Sequence, residues 1–252
     1  MYPVLNKRIV IFLCIILMLT MSSCQQNLQS QEDSSTQNIS ENISSEESPS
    51  SQFVSSEEST SSNSNKEDWN LVLVNIWNKL PDDFKVELDK IGVRKMDSRI
   101  IETTKKMISD AKNDGVDLLL ASSYRTVERQ TQLFNEQIQK YKNLGYSDDD
   151  AYNNAKEWVA VPGTSEHHTG LALDIVTPTY QNLDYGFDTT DAFKWLYENC
   201  VDYGFILRYP KNKSEITGIT YEPWHYRYVG VDAAKYIMEN DLCLEEYLKE
   251  LS

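Results

Sequence analysis

The chain has 252 residues, 24 Lys and Arg against 39 Asp and Glu, a formal net charge of −15, and only three histidines. An acidic surplus of this size, with no basic patch to neutralise phosphates, argues against nucleic acid as a partner. The length leaves room for about one folded domain once a leader and a linker are set aside.

Lys7 and Arg8 give a basic start, Ile9 to Met21 is almost wholly apolar, and Ser22-Ser23-Cys24 follows. That pattern predicts a lipoprotein signal peptide over residues 1–23 with Cys24 as the lipidated residue. The apolar run is short for a membrane span of about 20 residues. Residues 24–66 are rich in Ser, Gln, Asn, Glu and Thr and hold too little apolar surface to offset their ordering entropy. They are expected to form a disordered acidic tether, with an end-to-end distance of roughly 35 Å for a flexible chain of about 40 residues. The expected arrangement is a monomeric domain over residues 67–252, extracytoplasmic and lipid-anchored to the outer face of the cytoplasmic membrane. Cys14 leaves with the signal peptide. Cys200 and Cys243 remain, and the sequence leaves open whether they form a disulfide.

Within the domain, Ser98 is placed to cap a helix whose apolar residues Ile100, Ile101, Met107, Ile108 and Ala111 recur at helical spacing, ending at Asn113-Asp114-Gly115. Val116 to Ala121 is a short apolar run and reads as a buried strand. After Ser122 to Thr126, the residues Val127, Thr131, Phe134, Ile138 and Tyr141 mark a second helix. Asp148 to Trp158 predicts a shorter one. Leu171, Leu173 and Ile175 alternate with Ala172 and Asp174, which makes a strand with Asp174 on the face opposite the leucines. A helix over Phe193 to Tyr203 closes at Gly204. Strands follow at Phe205 to Tyr209 and Trp224 to Val229, then helices near Ala233 to Asn240 and Leu244 to Leu251. Helices and strands mix without a β-α-β rhythm, so the expected class is α+β with an antiparallel sheet.

All three histidines, His167, His168 and His225, lie in two short stretches, G-T-S-E-H-H-T-G-L-A-L-D-I and E-P-W-H-Y. A continuous strand would hold His167 and Asp174 about 23 Å apart at 3.3 Å per residue, too far for one metal. Gly170 allows the bend that brings them together. With His225 from another strand, two imidazoles and a carboxylate leave a tetrahedral zinc one position open to water, as in catalytic sites. Residue spacing alone does not choose between His167 and His168.

Three blocks, S-S-Y-R-T-V-E-R-Q, S-E-H-H-T-G-L-A-L-D and E-P-W-H-Y-R-Y-V-G, together with N-L-V-L-V-N and F-I-L-R-Y-P, resemble the signatures of the VanY-type D-alanyl-D-alanine carboxypeptidases over roughly residues 69–250. These are zinc peptidases that trim peptidoglycan stem peptides. The resemblance implies a Hedgehog/D-Ala-D-Ala peptidase-like fold, a small antiparallel sheet carrying the site and flanked by helices. It implies one Zn2+ per domain on His167, Asp174 and His225, with His168 outside the set. Glu222 becomes the general base and Arg125 the residue that polarises the scissile carbonyl or holds its oxyanion. Gln130 and Ser165 match substrate-contacting positions, and Tyr209 and Trp224 are suited to wall a pocket for the D-Ala methyl. Glu166 is the competing base, but the family pattern leaves it outside the chemistry and implies that it can be removed without losing metal or turnover. The implied reaction is removal of the C-terminal D-alanine from a stem peptide. The alternatives are an L,D-carboxypeptidase acting on tetrapeptide stems, a D,D-dipeptidase, or a zinc-containing module that binds peptidoglycan without cutting it.

Overall fold

The computed structural model describes residues 69–252. The signal peptide, Cys24 and the tether lie outside the described residues. Strands β1 (Leu88–Ile91) and β2 (Arg94–Asp97) form an antiparallel hairpin. Its turn is Gly92-Val93, with Gly92 at a φ of 60° that suits a tight hairpin. This hairpin was not among the elements expected from the sequence. A 3-10 turn at Ser98–Ile100 leads into α1 (Ile101–Asn113). The cap is Asp97, not Ser98: the Asp97 carboxylate accepts from the Arg99 amide at 2.9 Å, and the Ser98 amide is spent on the Glu87 carbonyl.

Strand β3 (Leu119–Ser122) begins three residues later than the apolar run suggested. Helix α2 (Val127–Asn143) starts at Thr126, whose hydroxyl accepts from the Arg129 amide. Helix α3 (Asp148–Ala155) is capped by Ser147 in the same way. Then come β4 (Ala172–Val176), α4 (Asp191–Asn199) with a 3-10 turn through Tyr203, and β5 (Phe205–Leu207). The short α5 (Ser214–Thr217), β6 (His225–Tyr228), α6 (Val231–Glu239) and α7 (Leu244–Glu250) complete the order. Among the described residues no helix is long and apolar enough to cross a membrane.

The main sheet has the order β3-β4-β6-β5 with every neighbouring pair antiparallel, so the fold is the expected α+β class. Period-two alternation splits β5 between two cores. Phe205 and Leu207 join Ile100, Met107, Leu173 and Leu196, whereas Ile206 joins Ala234, Ile237 and Leu244 from α6 and α7. Each fully buried leucine or isoleucine here contributes about 1.5–3 kcal/mol relative to exposure. Because both faces are covered, all five residues of β4 are buried, Asp174 included. A carboxylate in such a strand must be paired or it costs several kcal/mol. Cys200 and Cys243 are separate, buried free thiols, each pushed up to about 12 by burial, so the open question of a disulfide resolves to none.

Candidate metal centre and cleft

The antiparallel register sets Asp174 of β4 directly opposite His225 of β6. Cross-strand partners of this kind lie close enough for their side chains to meet. His225 Nδ1 is 3.1 Å from Asp174 Oδ1. The third residue comes from the 3-10 turn Glu166–Thr169 just before β4. Gly170 ends that turn at a φ of 74°, and a Cβ there would meet the Asp97 amide nitrogen at 2.8 Å. Only glycine therefore fits the bend that the sequence required. The bend carries His167 back over the strand, with Nε2 3.3 Å from Asp174 Oδ2.

Each imidazole is oriented from behind. His167 Nδ1 donates to the Ser123 carbonyl at 2.7 Å, leaving Nε2 to face Asp174. His225 presents Nδ1 to Asp174 and points Nε2 away from the cleft. His168 has both nitrogens committed elsewhere: Nδ1 donates to the Arg125 carbonyl and Nε2 accepts from the Gly163 amide. One potential ligand atom from each of His167, Asp174 and His225 falls within 4.8 Å of the others. The structure thus gathers the trio and sets His168 apart.

Glu222 and Arg125 flank this cluster. Glu222 lies three residues before His225 in a turn fixed by Pro223, and its Oε2 is 3.6 Å from His225 Nδ1. Arg125 donates from Nη2 to Ser122 Oγ at 3.0 Å and stands 3.5 Å from Asp174 Oδ2. Its Nη1 donates to Gln130 Oε1 at 2.8 Å. Gln130 is fully buried, and its Nε2 donates to the Ala160 carbonyl. Both ends of that amide are therefore used inside the protein. It holds the arginine in place from a position on the cleft lining.

A cleft of about 640 Å³ opens over these groups, lined by Ser165, Tyr209 and Trp224 as expected. The Tyr209 ring centroid is 4.8 Å from that of His225. Trp224 serves the core as well as the wall. Trp158, Leu183 and Ile219, which sequence reasoning did not single out, line the outer part. Trp158 packs on Tyr185 at 5.4 Å, and Tyr185 stacks on Tyr221, so this wall ties three loops together.

The electrostatics show a site short of positive charge. Burial pushes the Glu222 carboxyl up to about 8, and Asp174 adds to the push against the pull of His225 and Arg125. Burial alone would lower His225, yet the neighbouring carboxylates of Asp174 and Glu166 raise it to about 9. Burial and the Arg125 charge lower His167 to about 4. Despite its burial, Asp174 is held well below the carboxylate range by the two imidazoles. In the bare protein a proton on His225 thus supplies the cation that the acids demand. Two imidazole nitrogens and a carboxylate, their ligand atoms within 4.8 Å of one another, fit a divalent zinc ion that would take the place of that proton.

The family model "VanY: D-alanyl-D-alanine carboxypeptidase" matches residues 93–231. A D-alanyl-D-alanine carboxypeptidase of Enterococcus faecalis (strain ATCC 700802 / V583) is 45% identical over 187 residues, covering 73% of this chain and 67% of that protein. Two solved structures are similar along most of their length. One is a mutant of the vancomycin resistance D,D-pentapeptidase VanY from a VanB-type resistance cassette in complex with Zn(II), 44% identical, with a TM-score of 0.66, covering 71% of this chain and 99% of that one. The other is the LD-carboxypeptidase LdcB, 39% identical, with a TM-score of 0.61, covering 73% of this chain and 88% of that one. With the signature blocks, the fold and a family model spanning more than half of its length all in agreement, the chain belongs to the VanY D-alanyl-D-alanine carboxypeptidase family.

Proposed function

We propose that the chain is a zinc-dependent D,D-carboxypeptidase that removes the C-terminal D-alanine from peptidoglycan stem peptides. The observation that carries this reading is one cleft holding the His167, Asp174 and His225 trio, the Glu222 carboxylate beside it, and a half-buried guanidinium at Arg125. His167 through Nε2, His225 through Nδ1 and a carboxylate oxygen of Asp174 would hold the zinc. When bound, zinc supplies the Lewis acidity that makes a water nucleophilic near neutral pH.

The protein's own groups do the rest. Glu222, 3.6 Å from the ligating nitrogen of His225, accepts the proton of the attacking water and then returns it to the leaving D-alanine amine. Arg125, fixed by Ser122 and Gln130 before substrate arrives, offers a preorganised positive charge where the carbonyl oxygen becomes negative. Tyr209 and Trp224 wall the space beside the metal ligands. With the terminal carboxylate clamped, inverting the last α-carbon swings its methyl from pocket to wall. A displacement of about 1 Å at the reacting carbonyl costs on the order of a hundredfold in rate.

The likeness to the LD-carboxypeptidase LdcB, 39% identical, supports an L,D reading as the alternative. Mass spectrometry of tri-, tetra- and pentapeptide stems and their L-terminal epimers separates the two. Loss of a single alanine from the D-ended pentapeptide, with the L-epimer intact, is the expected result. Cleavage confined to the tetrapeptide would establish the L,D reading, and release of a dipeptide as first product would refute both.

The proposal extends to the N-terminus. A lipid on Cys24 and the Ser-rich tether would hold a monomeric domain at the outer face of the cytoplasmic membrane, within reach of nascent wall. Cys24→Ala should move the protein from the membrane to the soluble fraction. Unchanged fractionation, with no lipid mass on the native N-terminus, would remove the anchor from the account.

A further inference from the structure

Behind His225, on the side away from the cleft, a second set of charges is buried completely. Glu166, Arg208 and Arg227 are each fully covered. Glu166 Oε1 accepts from Arg208 Nε at 2.8 Å and from Arg227 Nη1 at 2.6 Å. Arg208 donates a fork of two bonds to Glu245 at the start of α7, at 2.9 and 2.7 Å, and Asn75 Nδ2 donates to the same carboxylate. Arg227 spends its remaining donors on the carbonyls of Asn70, Val72 and Tyr228. Two atoms are left over: Glu166 Oε2 and His225 Nε2 are both buried without a hydrogen-bond partner, and they face each other at 3.6 Å.

We propose that Glu166 is a positioning residue that fixes the tautomer of His225. Its free oxygen holds a proton on Nε2 and so delivers the Nδ1 lone pair to the zinc. Arg208 and Arg227 hold Glu166 immobile for this task. A carboxylate behind a ligating histidine orients the ring and raises its basicity. Because the arginines are themselves held by residues 70–75 and by Glu245, the ends of the domain set the geometry of a metal ligand. The expectation that Glu166 is dispensable does not fit these surroundings: an alanine there would leave two buried guanidinium groups short of their shared partner.

The inference rests on His225 being a zinc ligand, and the test separates the two. Zinc affinity is measured by competition with a chromophoric chelator on the 252-residue chain, comparing wild type with Glu166→Gln, Glu245→Gln and His225→Ala. In Glu166→Gln, if the amide oxygen stays with the arginines, the amide NH2 meets His225 Nε2–H, donor against donor, and favours the tautomer with the proton on Nδ1. Affinity should fall about 10- to 100-fold in Glu166→Gln and less in Glu245→Gln. Wild-type affinity in a folded Glu166→Gln protein, with zinc lost from His225→Ala, overturns the inference and leaves the ligand reading standing. Retention of zinc by His225→Ala overturns both. Should Glu166→Gln fail to fold, nitrogen NMR of the zinc-loaded wild type decides. A protonated Nε2 with a metallated Nδ1 on His225 upholds the proposal, and the reverse assignment overturns it.

Discussion

The two edges of the His225 ring meet opposite electrostatic conditions. On the cleft side, Nδ1 faces Asp174 and Glu222 with Arg125 nearby, and the acids outweigh the fixed cation enough to hold a proton on the ring. On the core side, Glu166 is matched by two arginines and sealed from solvent, and its carboxyl lies well below the usual range despite complete burial. One charge set is left incomplete where an ion and a substrate must enter; in the other, two arginines flank the single acid, and only its second oxygen and His225 Nε2 lack a hydrogen-bond partner. A buried network that is fully paired rigidifies its surroundings, whereas an incomplete one stores binding affinity.

Breaking the cleft side should have the largest effect on rate. Glu222→Gln is expected to lower turnover of a D-Ala-ended pentapeptide by roughly 10²–10⁴-fold, the usual worth of a general acid-base group, while zinc content stays at wild type. Steady-state kinetics beside metal analysis checks both halves of this statement.

Breaking the core side should instead cost stability. Arg227→Met leaves Glu166 with one partner and should destabilise the metal-free protein by about 3–5 kcal/mol, read from urea unfolding. A loss below about 1 kcal/mol would mean that the network is not the rigid frame described above.

Arg125 sharpens the contrast, since it is a half-buried cation that belongs to the cleft. Arg125→Lys keeps the charge but cannot reach Ser122 and Gln130 together, and should lower kcat by about 10²–10³-fold with little change in zinc affinity. Equal rates for the two proteins would assign the guanidinium to structure alone.

The smallest expected effect is on pH dependence. Glu222, at about 8 against an ordinary 4.5, and His225, at about 9 against 6.5, both bind protons more tightly folded than unfolded. Their stabilisation is therefore lost as pH rises. His167, lowered to about 4, has the opposite sign and loses its contribution as pH falls from 6.5. Between about pH 6.5 and 9 only the loss remains, so the Tm of the metal-free protein should decline across that window. In the zinc-loaded protein the decline should flatten, because the ion replaces the proton at Nδ1. Parallel curves for the two forms would contradict the charge deficit in the cleft.

Much of the cleft was legible in the sequence because its chemistry forces rare residues together. Three histidines beside acids and a glycine that permits a bend can be seen without coordinates, and so can the glutamate set by a proline turn. The frame behind it was not. Arg227 stands opposite Ile206 in the β5–β6 register, and only that pairing brings it near Arg208 and Glu166. Two arginines inside apolar strand runs, F-I-L-R and H-Y-R-Y, were the available signal, since a strand buried on both faces cannot hold a guanidinium without an acid. Hairpin β1–β2 was missed because its four-residue strands mix Lys, Asp and Arg and show no apolar period. The bonds that Gln130 makes to Arg125 and to the Ala160 carbonyl were not legible either, because the second partner is 30 residues away in sequence.

The most direct test of the central claim is a joint assay of zinc stoichiometry and D-alanine release from a pentapeptide stem, run on the wild-type chain and on His225→Ala. The account predicts one zinc and steady release of D-alanine for wild type, and neither for His225→Ala. A His225→Ala protein that still carries a full zinc equivalent and still releases D-alanine would contradict it.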